Sequence, residues 1–457
     1  LYAKLPGPSG PVEWAPDLPQ RLVLSNGLPV YYVKQGGTPL VALTLVMPRG
    51  SAMDPAGKAG LTALTMDLLD EGASGRDALE LAAELERLAT DLHAQVEVDH
   101  ALLAMTLIAQ NLEPSLRLLA DVVRRPALNV QQFQRRREQQ IARIIESTAD
   151  PVYGRDLALR HALFGDGYGG KPVLGTRASV SALRHADVKR QFSNVVVPDG
   201  SAFVLVGNVS AAHVTAILEK TFGDWRGQTG ASPAAPTKPL LPRTAYVLDY
   251  PGSSQSALAV ARRAPGAQAA DYFAALVYNR VLGGAFGSRL NLNLREDKGY
   301  TYGARSEFVR WQNAGYWGLT ARVRAQVTKE STREMLREIA DSCGARPIGS
   351  AEREAAVQGL LLGFPGRFEG RVETALQMSE LPLHDRPLDW YARWPARVEH
   401  VTLRDINAVA GKYCDPSELV LVVAGDAQTV TPALAALEWH AVAYDPHRRV
   451  LLPESGD

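Results

Sequence analysis

Cysteine is almost missing from this sequence. Two residues, Cys343 and Cys414, stand among 457. They fit neither a metal-binding spacing nor a disulfide framework, and they read as buried, inert thiols, with a bond between them the less favoured alternative. An excess of either charge is missing too, since 49 Lys and Arg balance 49 Asp and Glu. That balance argues against a global nucleic-acid or membrane-surface role, although it leaves room for local patches. No apolar run approaches the roughly 18 residues that a membrane-spanning helix needs. Of the nine histidines, no two lie four apart, so no helix presents a histidine pair at that spacing. Gly283-Gly284-Ala285-Phe286-Gly287 is rich in glycine but carries no Lys-Ser/Thr behind it, which excludes a phosphate-cradling P-loop and leaves a turn.

What is present is ample apolar material. At 46% hydrophobic the chain can bury large cores, and its length alone suggests about three domains. One stretch, residues 230–242, carries Pro233, Pro236, Pro239 and Pro242. Prolines at that density can neither continue a helix nor sit in a central strand, so 230–242 reads as a linker between halves 1–229 and 243–457. The halves repeat each other. Asp187-Val188, Pro198 and Gly207 recur as Asp405-Ile406, Pro416 and Gly425, each 218 positions later. The apolar runs Phe203–Val206 and Val420–Val423, each followed by a turn signal, read as equivalent buried strands. A constant offset over three landmarks favours duplication.

Strands and helices mix within a half. Leu43–Met47 reads as a strand. Ser74 and Asp77 have the spacing of a capping box, and Leu81, Leu85 and Leu88 behind them define a helix with one core face. Leu92, Ala94, Val96 and Val98 alternate as a strand does. Asn111 and Pro114 open a further helix with Leu116, Leu119, Ala120 and Val123 on one face, ended by Pro126. Such alternation predicts an α+β fold: two homologous halves, each an antiparallel sheet covered by helices. His93 and His100 are separated by an odd number, so on one strand they would face opposite sides and do not act as co-ligands. Arg135-Arg136-Arg137 reads as a solvated helix face.

Three segments carry a more specific signal: Leu163-Phe164-Gly165-Asp166-Gly167, Pro172-Val173-Leu174-Gly175-Thr176, and the long run from Phe286 to Glu296 that continues through Gly303. With the duplicated halves, they make the chain resemble the insulinase/pitrilysin family of inverted zinc metallopeptidases, which includes the mitochondrial processing peptidase. In active members of that family a helix of the first half carries His-x-x-Glu-His. The two histidines bind zinc, and the glutamate is the general base for the zinc-bound water. Here the corresponding positions, framed by Gly60-Leu61 and Leu68-Leu69, are Ala63, Met66 and Asp67. Ala and Met can neither ligate nor take a proton in this role, so the segment reads as a core helix with a degenerate zinc motif. The family's additional glutamate ligand would fall near Glu146 to Gly154.

The second half keeps what the first has lost. Family members use an arginine and, seven residues on, a tyrosine that reach toward the metal. Arg295 and Tyr302 have that spacing, with Tyr300 ranked second for the tyrosine role. A guanidinium and a phenol supply hydrogen-bond donors that would hold a scissile carbonyl and stabilise its developing oxyanion. The resemblance therefore implies a non-zinc subunit of a heterodimeric metalloendopeptidase, inactive alone. A homologous partner would supply zinc and base, and unfolded or short peptides would be the substrates. The alternative is a catalytically inactive scaffold or peptide-binding homologue. The start at Leu1 and the Ala/Arg-rich composition point to the bacterial periplasm, with the cytoplasm as the alternative.

Overall fold

The computed structural model describes residues 14–228, 230, 240–446 and 450–451; most of the proline-rich 230–242 stretch lies outside them. Thirteen strands among the described residues form two sheets. The first contains β1 (Gln20–Val23), β2 (Pro29–Lys34), β3 (Leu40–Met47), β4 (His93–Val96), β5 (Ala101–Ile108) and β6 (Ala202–Gly207), in the order β1-β2-β6-β3-β5-β4. The second contains β7 (Thr244–Asp249), β8 (Gln255–Ala264), β9 (Thr301–Arg310), β10 (Gly315–Arg324), β11 (Val420–Gly425), β12 (His440–Asp445) and β13 (Val450–Leu451), in the order β13-β12-β7-β11-β8-β10-β9. The expected pair of helix-covered sheets is present. Most pairings are antiparallel, but β6 runs parallel to β2, and β11 and β12 both run parallel to β7, which lies between them. The parallel pairings have a topological cause: β12 follows β11 through the helix Ala427–Ala435 and crosses to the far side of β7. β6 and β11 each return after a long helical excursion and insert between strands already laid down, and a strand entering by crossover can lie parallel to its neighbour.

The duplication is visible element by element. The helix His185–Val195 and strand β6 recur as the helix Leu403–Tyr413 and β11, and all four pairs of boundaries differ by the same 218. The conserved offset has a local reason at the helix starts. Asp187 accepts the backbone N–H of Arg184 at 3.0 Å, and Asp405 accepts that of Thr402 at 3.0 Å. Each carboxylate thus satisfies a free amide in the first turn of its helix.

Each half lends a helix to the other. α1 (Leu61–Met66), α2 (Ala78–Arg87), α3 (Leu112–Arg124) and α4 (Val130–Thr148) lie in the first half, and α5 (Pro151–Phe164) follows them. Ala158, Leu159, Leu163 and Phe164 of α5 pack on Ala257, Ala259, Val420 and Val422 of the second sheet. In return Ala375, Met378 and Leu381 of the helix Arg371–Leu383 share a core with Val33, Ala42, Val46, Val204 and Val206 of the first sheet. The other face of that sheet, with Val41, Leu43, Leu45 and Leu205, packs on α1 to α4. Burial on both faces explains why β3 and β6 read as unbroken apolar runs.

Several local expectations are corrected. Cys343 and Cys414 form a disulfide with Cα atoms 6.4 Å apart, and Cys343 is exposed. The thiols sit at the ends of two neighbouring helices, a proximity that spacing along the chain could not disclose. The capping box of α2 is Asp77 with Glu80, three residues later than expected, and Ser74 turns its hydroxyl to Asp121 instead. The alternating segment from Leu92 is a strand only over His93–Val96 and lies at a sheet edge, which leaves its side chains largely exposed. Arg135 and Arg136 both bind the buried Glu71, and Arg137 lies over the ring of Phe133. Arg135 and Arg136 are therefore a clamp between α4 and the segment after α1, while Arg137 packs on its own helix and donates to the Leu183 carbonyl at 3.2 Å.

Candidate functional site

The degenerate motif is a short, fully buried helix. Gly60 precedes α1 with φ of 90°, a left-handed conformation that favours glycine. A Cβ there would come within 2.5 Å of the Leu174 carbonyl oxygen. Asp54 caps the turn: its carboxylate accepts the N–H of Gly60 and of Thr62, each at 2.8 Å, and the Thr62 hydroxyl at 2.6 Å. Burial pushes the Asp54 pKa up to about 6, against the pull of those hydrogen bonds and of Lys171. Gln140 of α4 donates to the Gly60 carbonyl at 3.0 Å, and Gln191 donates to the Thr62 hydroxyl at 2.7 Å. Every helical residue from Leu61 to Met66 is buried. Ala63 and Met66 serve this packing and offer no ligand.

Asp67, the one carboxylate of the motif, is engaged by Arg143 of α4. Arg136, seven residues earlier on α4, pairs with Asp70 and Glu71. With Arg135 also on Glu71, three arginines of one helix thus pair with the acidic segment that follows α1. From Glu146 to Gly154 the chain ends α4 and begins α5, whereas the α4 side chain that reaches Asp67 is a cation. A zinc ion does not fit this donor set, because one carboxylate already shared with a guanidinium cannot replace two imidazoles. Among the described residues, no group of three or more His, Cys, Asp and Glu side chains could hold a metal ion. His93 and His100 each pair with a nearby carboxylate, Asp91 at 3.0 Å and Asp99 at 2.8 Å.

The second-half motif is built in the opposite way, with Tyr302 exposed and Arg295 partly exposed. After the turn Arg289–Asn291, residues Leu292–Asp297 form a π-helical turn that carries Arg295. Such turns are rare and recur at functional sites. Arg289 anchors its start through Glu352, with Nε···Oε1 2.6 Å and Nη2···Oε2 2.7 Å. Asn293 anchors the middle by donating to Glu334 at 3.0 Å and Glu338 at 2.8 Å. The exit is fixed by backbone bonds, Gly299 N–H to the Arg295 carbonyl at 3.1 Å and Tyr300 N–H to the Leu294 carbonyl at 2.8 Å. Arg295 itself lies with Cζ 4.4 Å from the ring centre of Phe286, and its Nε is 3.4 Å from a Glu296 carboxylate oxygen.

Tyr302 follows on β9 and is 92% exposed. The β9–β10 register slips there: Ala304 faces Ala321 and Thr301 faces Val323, so Tyr302 and Gly303 together oppose Arg322. A bulge of this kind re-aims a side chain without breaking the strand. Thr301 locks it by donating to the Arg322 carbonyl at 2.7 Å, and Arg322 in turn reaches Asp150 of the first half at 3.1 Å. Tyr300 is half-buried, one residue before the strand begins. The glycine-rich segment is a turn, as its composition predicts, but it also delivers Phe286 to Arg295, which composition did not disclose. Chemically, this segment offers a guanidinium and a phenol, hydrogen-bond donors suited to a carbonyl oxygen or an anionic group.

Comparison with known proteins gives three findings. Residues 30–177 match the model of the insulinase family (peptidase family M16), and residues 182–360 match that of the peptidase M16 inactive domain. An uncharacterized zinc protease of Mycobacterium leprae is 27% identical over 268 residues, which spans 58% of this chain and 60% of that relative, under two thirds of its length. The non-peptidase homolog YmxG of Helicobacter pylori is 21% identical over 408 residues, 87% of this chain and 91% of the relative. The crystal structure of a peptidase M16 inactive domain from Pseudomonas fluorescens superposes with a TM-score of 0.83 at 23% identity, covering 89% of this chain and 98% of that one. That last likeness is one of fold.

Proposed function

Because the chain belongs to the insulinase family of peptidases, family M16, we propose that it works as the zinc-free subunit of a heterodimeric metalloendopeptidase. A homologous partner supplies zinc and the general base. This chain supplies Arg295 and Tyr302, with Tyr300 as a neighbouring substrate contact. The guanidinium N–H groups and the phenol O–H donate to the scissile carbonyl oxygen, and those bonds strengthen as the oxygen gains charge. Substrates are unfolded or short peptides, taken as extended strands and recognised mainly through their backbone. The observation that carries this reading is the contrast between the two motifs. The first is buried and its carboxylate neutralised by Arg143, whereas the second holds a fully presented Tyr302 on a bulge. The Cys343–Cys414 bond supports an oxidising compartment such as the periplasm.

The test is reconstitution. A tag on this chain should capture the partner, and the complex should cleave an unstructured peptide while the isolated chain does not. Arg295→Ala and Tyr302→Phe should each lower turnover on the order of 10²–10³ without loosening the complex. Unchanged turnover in both variants would refute the role. The rival reading, an inactive scaffold or peptide-binding homologue, draws on the match to an inactive-domain model. It would be favoured by a captured partner that itself lacks a metal motif.

A further inference from the structure

Phe286 is 65% exposed at the tip of the glycine-rich turn. The base of that turn is tightly held. Ser306 N–H donates to the Gly283 carbonyl at 3.1 Å, and a Cβ on Gly283 would come within 2.4 Å of the Ser306 nitrogen. Asn291 donates to the Ala285 carbonyl at 3.1 Å, and Arg280 donates to that of Gly284 at 3.2 Å. The turn therefore carries its aromatic tip as a fixed platform. The Arg295 Cζ lies 4.4 Å from the Phe286 ring centre, well inside the range of a cation–π contact. The other charged neighbour, Glu296, is exposed and 3.4 Å away, and such a surface pair restrains little.

From this arrangement we infer that Phe286 is a positioning residue for Arg295, an inference that rests on the role proposed above for that arginine. A free arginine side chain has many rotamers, and an oxyanion donor must be in place before charge develops. An aromatic face restrains the guanidinium without neutralising it, because it adds no net charge and accepts no strong hydrogen bond. A carboxylate in the same place would compete with the substrate oxygen for the same N–H groups. The glycine turn thus serves the reaction through the one side chain it presents, and its glycines serve by letting the backbone press against β9.

Two readouts test this. In the isolated chain, the Arg295 Nε–H resonance (assigned by its loss in Arg295→Lys) should be shifted upfield by the ring current, keep that shift in Phe286→Trp and lose it in Phe286→Leu. In the complex captured with its partner, Phe286→Leu should lower kcat roughly 3- to 30-fold with little change in KM, and Phe286→Trp should restore it. In an Arg295→Ala background, Phe286→Leu should have no further effect. Absence of the upfield shift, an effect on KM alone, or an undiminished effect without Arg295 would each overturn the inference. If Arg295→Ala abolishes turnover while Phe286→Leu is normal, only the role of Phe286 falls. If Arg295→Ala retains full turnover, the role of Arg295 falls and this one with it.

Discussion

Asp54 illustrates how one buried carboxylate ties structure to pH. Its pKa rises from the usual 3.8 to about 6, chiefly through burial. The folded state therefore holds the proton more tightly than the unfolded chain does. The stability this provides is fully present below about pH 4 and is lost as pH rises through about 6, a loss on the order of 3 kcal/mol. Urea denaturation of the native chain and Asp54→Asn at pH 4 to 7 checks the sign. The stability difference, native minus variant, should shrink as pH rises, and a difference independent of pH would contradict it. Gly60 is a second sensitive residue. Gly60→Ala places a Cβ against the Leu174 backbone at a φ of 90° and should cost about 2 kcal/mol or more. Tyr302→Phe, on an exposed bulge, should leave the unfolding free energy within about 0.5 kcal/mol of native.

At the level of elements, two devices tie neighbouring helices together. α4 meets the end of α1 through Arg143–Asp67 and through Arg135 and Arg136 on Glu71. Glu71 is 4% exposed, so removing its cations strands a buried charge. Removing Arg135 and Arg136 together should therefore cost more than Arg143→Ala, which breaks one pair whose two members are both partly exposed. The disulfide joins the end of the helix Thr328–Cys343 to the C-cap of the helix Leu403–Tyr413 across 71 residues. Replacing both cysteines by serine should remove about 4 kcal/mol on the chain-entropy model, readable as a lowered denaturation midpoint that reductant reproduces in the native chain. The helical faces of α2 and α3 and the ends of α3 were legible from apolar spacing and the flanking Asn111 and Pro126. The disulfide and the α1–α4 clamp were not, because each depends on which helices come to lie side by side.

At the level of the whole molecule, the two halves exchange cover. α5 shields the second sheet and the helix Arg371–Leu383 shields the first, and Arg371 also donates to the Gly36 carbonyl at 2.6 Å. Either half alone would expose an apolar sheet face. Residues 1–229 and 243–457 expressed separately should be insoluble or molten, whereas co-expression should recover a folded pair. Independent, cooperative folding of either half would contradict this architecture. The same exchange anchors the candidate site, since Arg322 opposite Tyr302 is tied to Asp150 of the first half.

By itself the chain determined its duplication, its α+β class and the residues of two segments, one without a histidine pair and one with Arg295 and Tyr302 seven apart. These are properties of residue type and spacing, and a constant offset of 218 or an Arg-x6-Tyr pair survives without coordinates. The tertiary structure alone decided what those residues face. It set Arg143 against Asp67, bonded Cys343 to Cys414, and turned Tyr302 outward on a bulge with Phe286 beneath Arg295. The physical reason is common to all of them. Burial, ion pairing and side-chain direction depend on contacts between segments far apart in sequence, and those distances exist only once the sheets have closed on each other's helices.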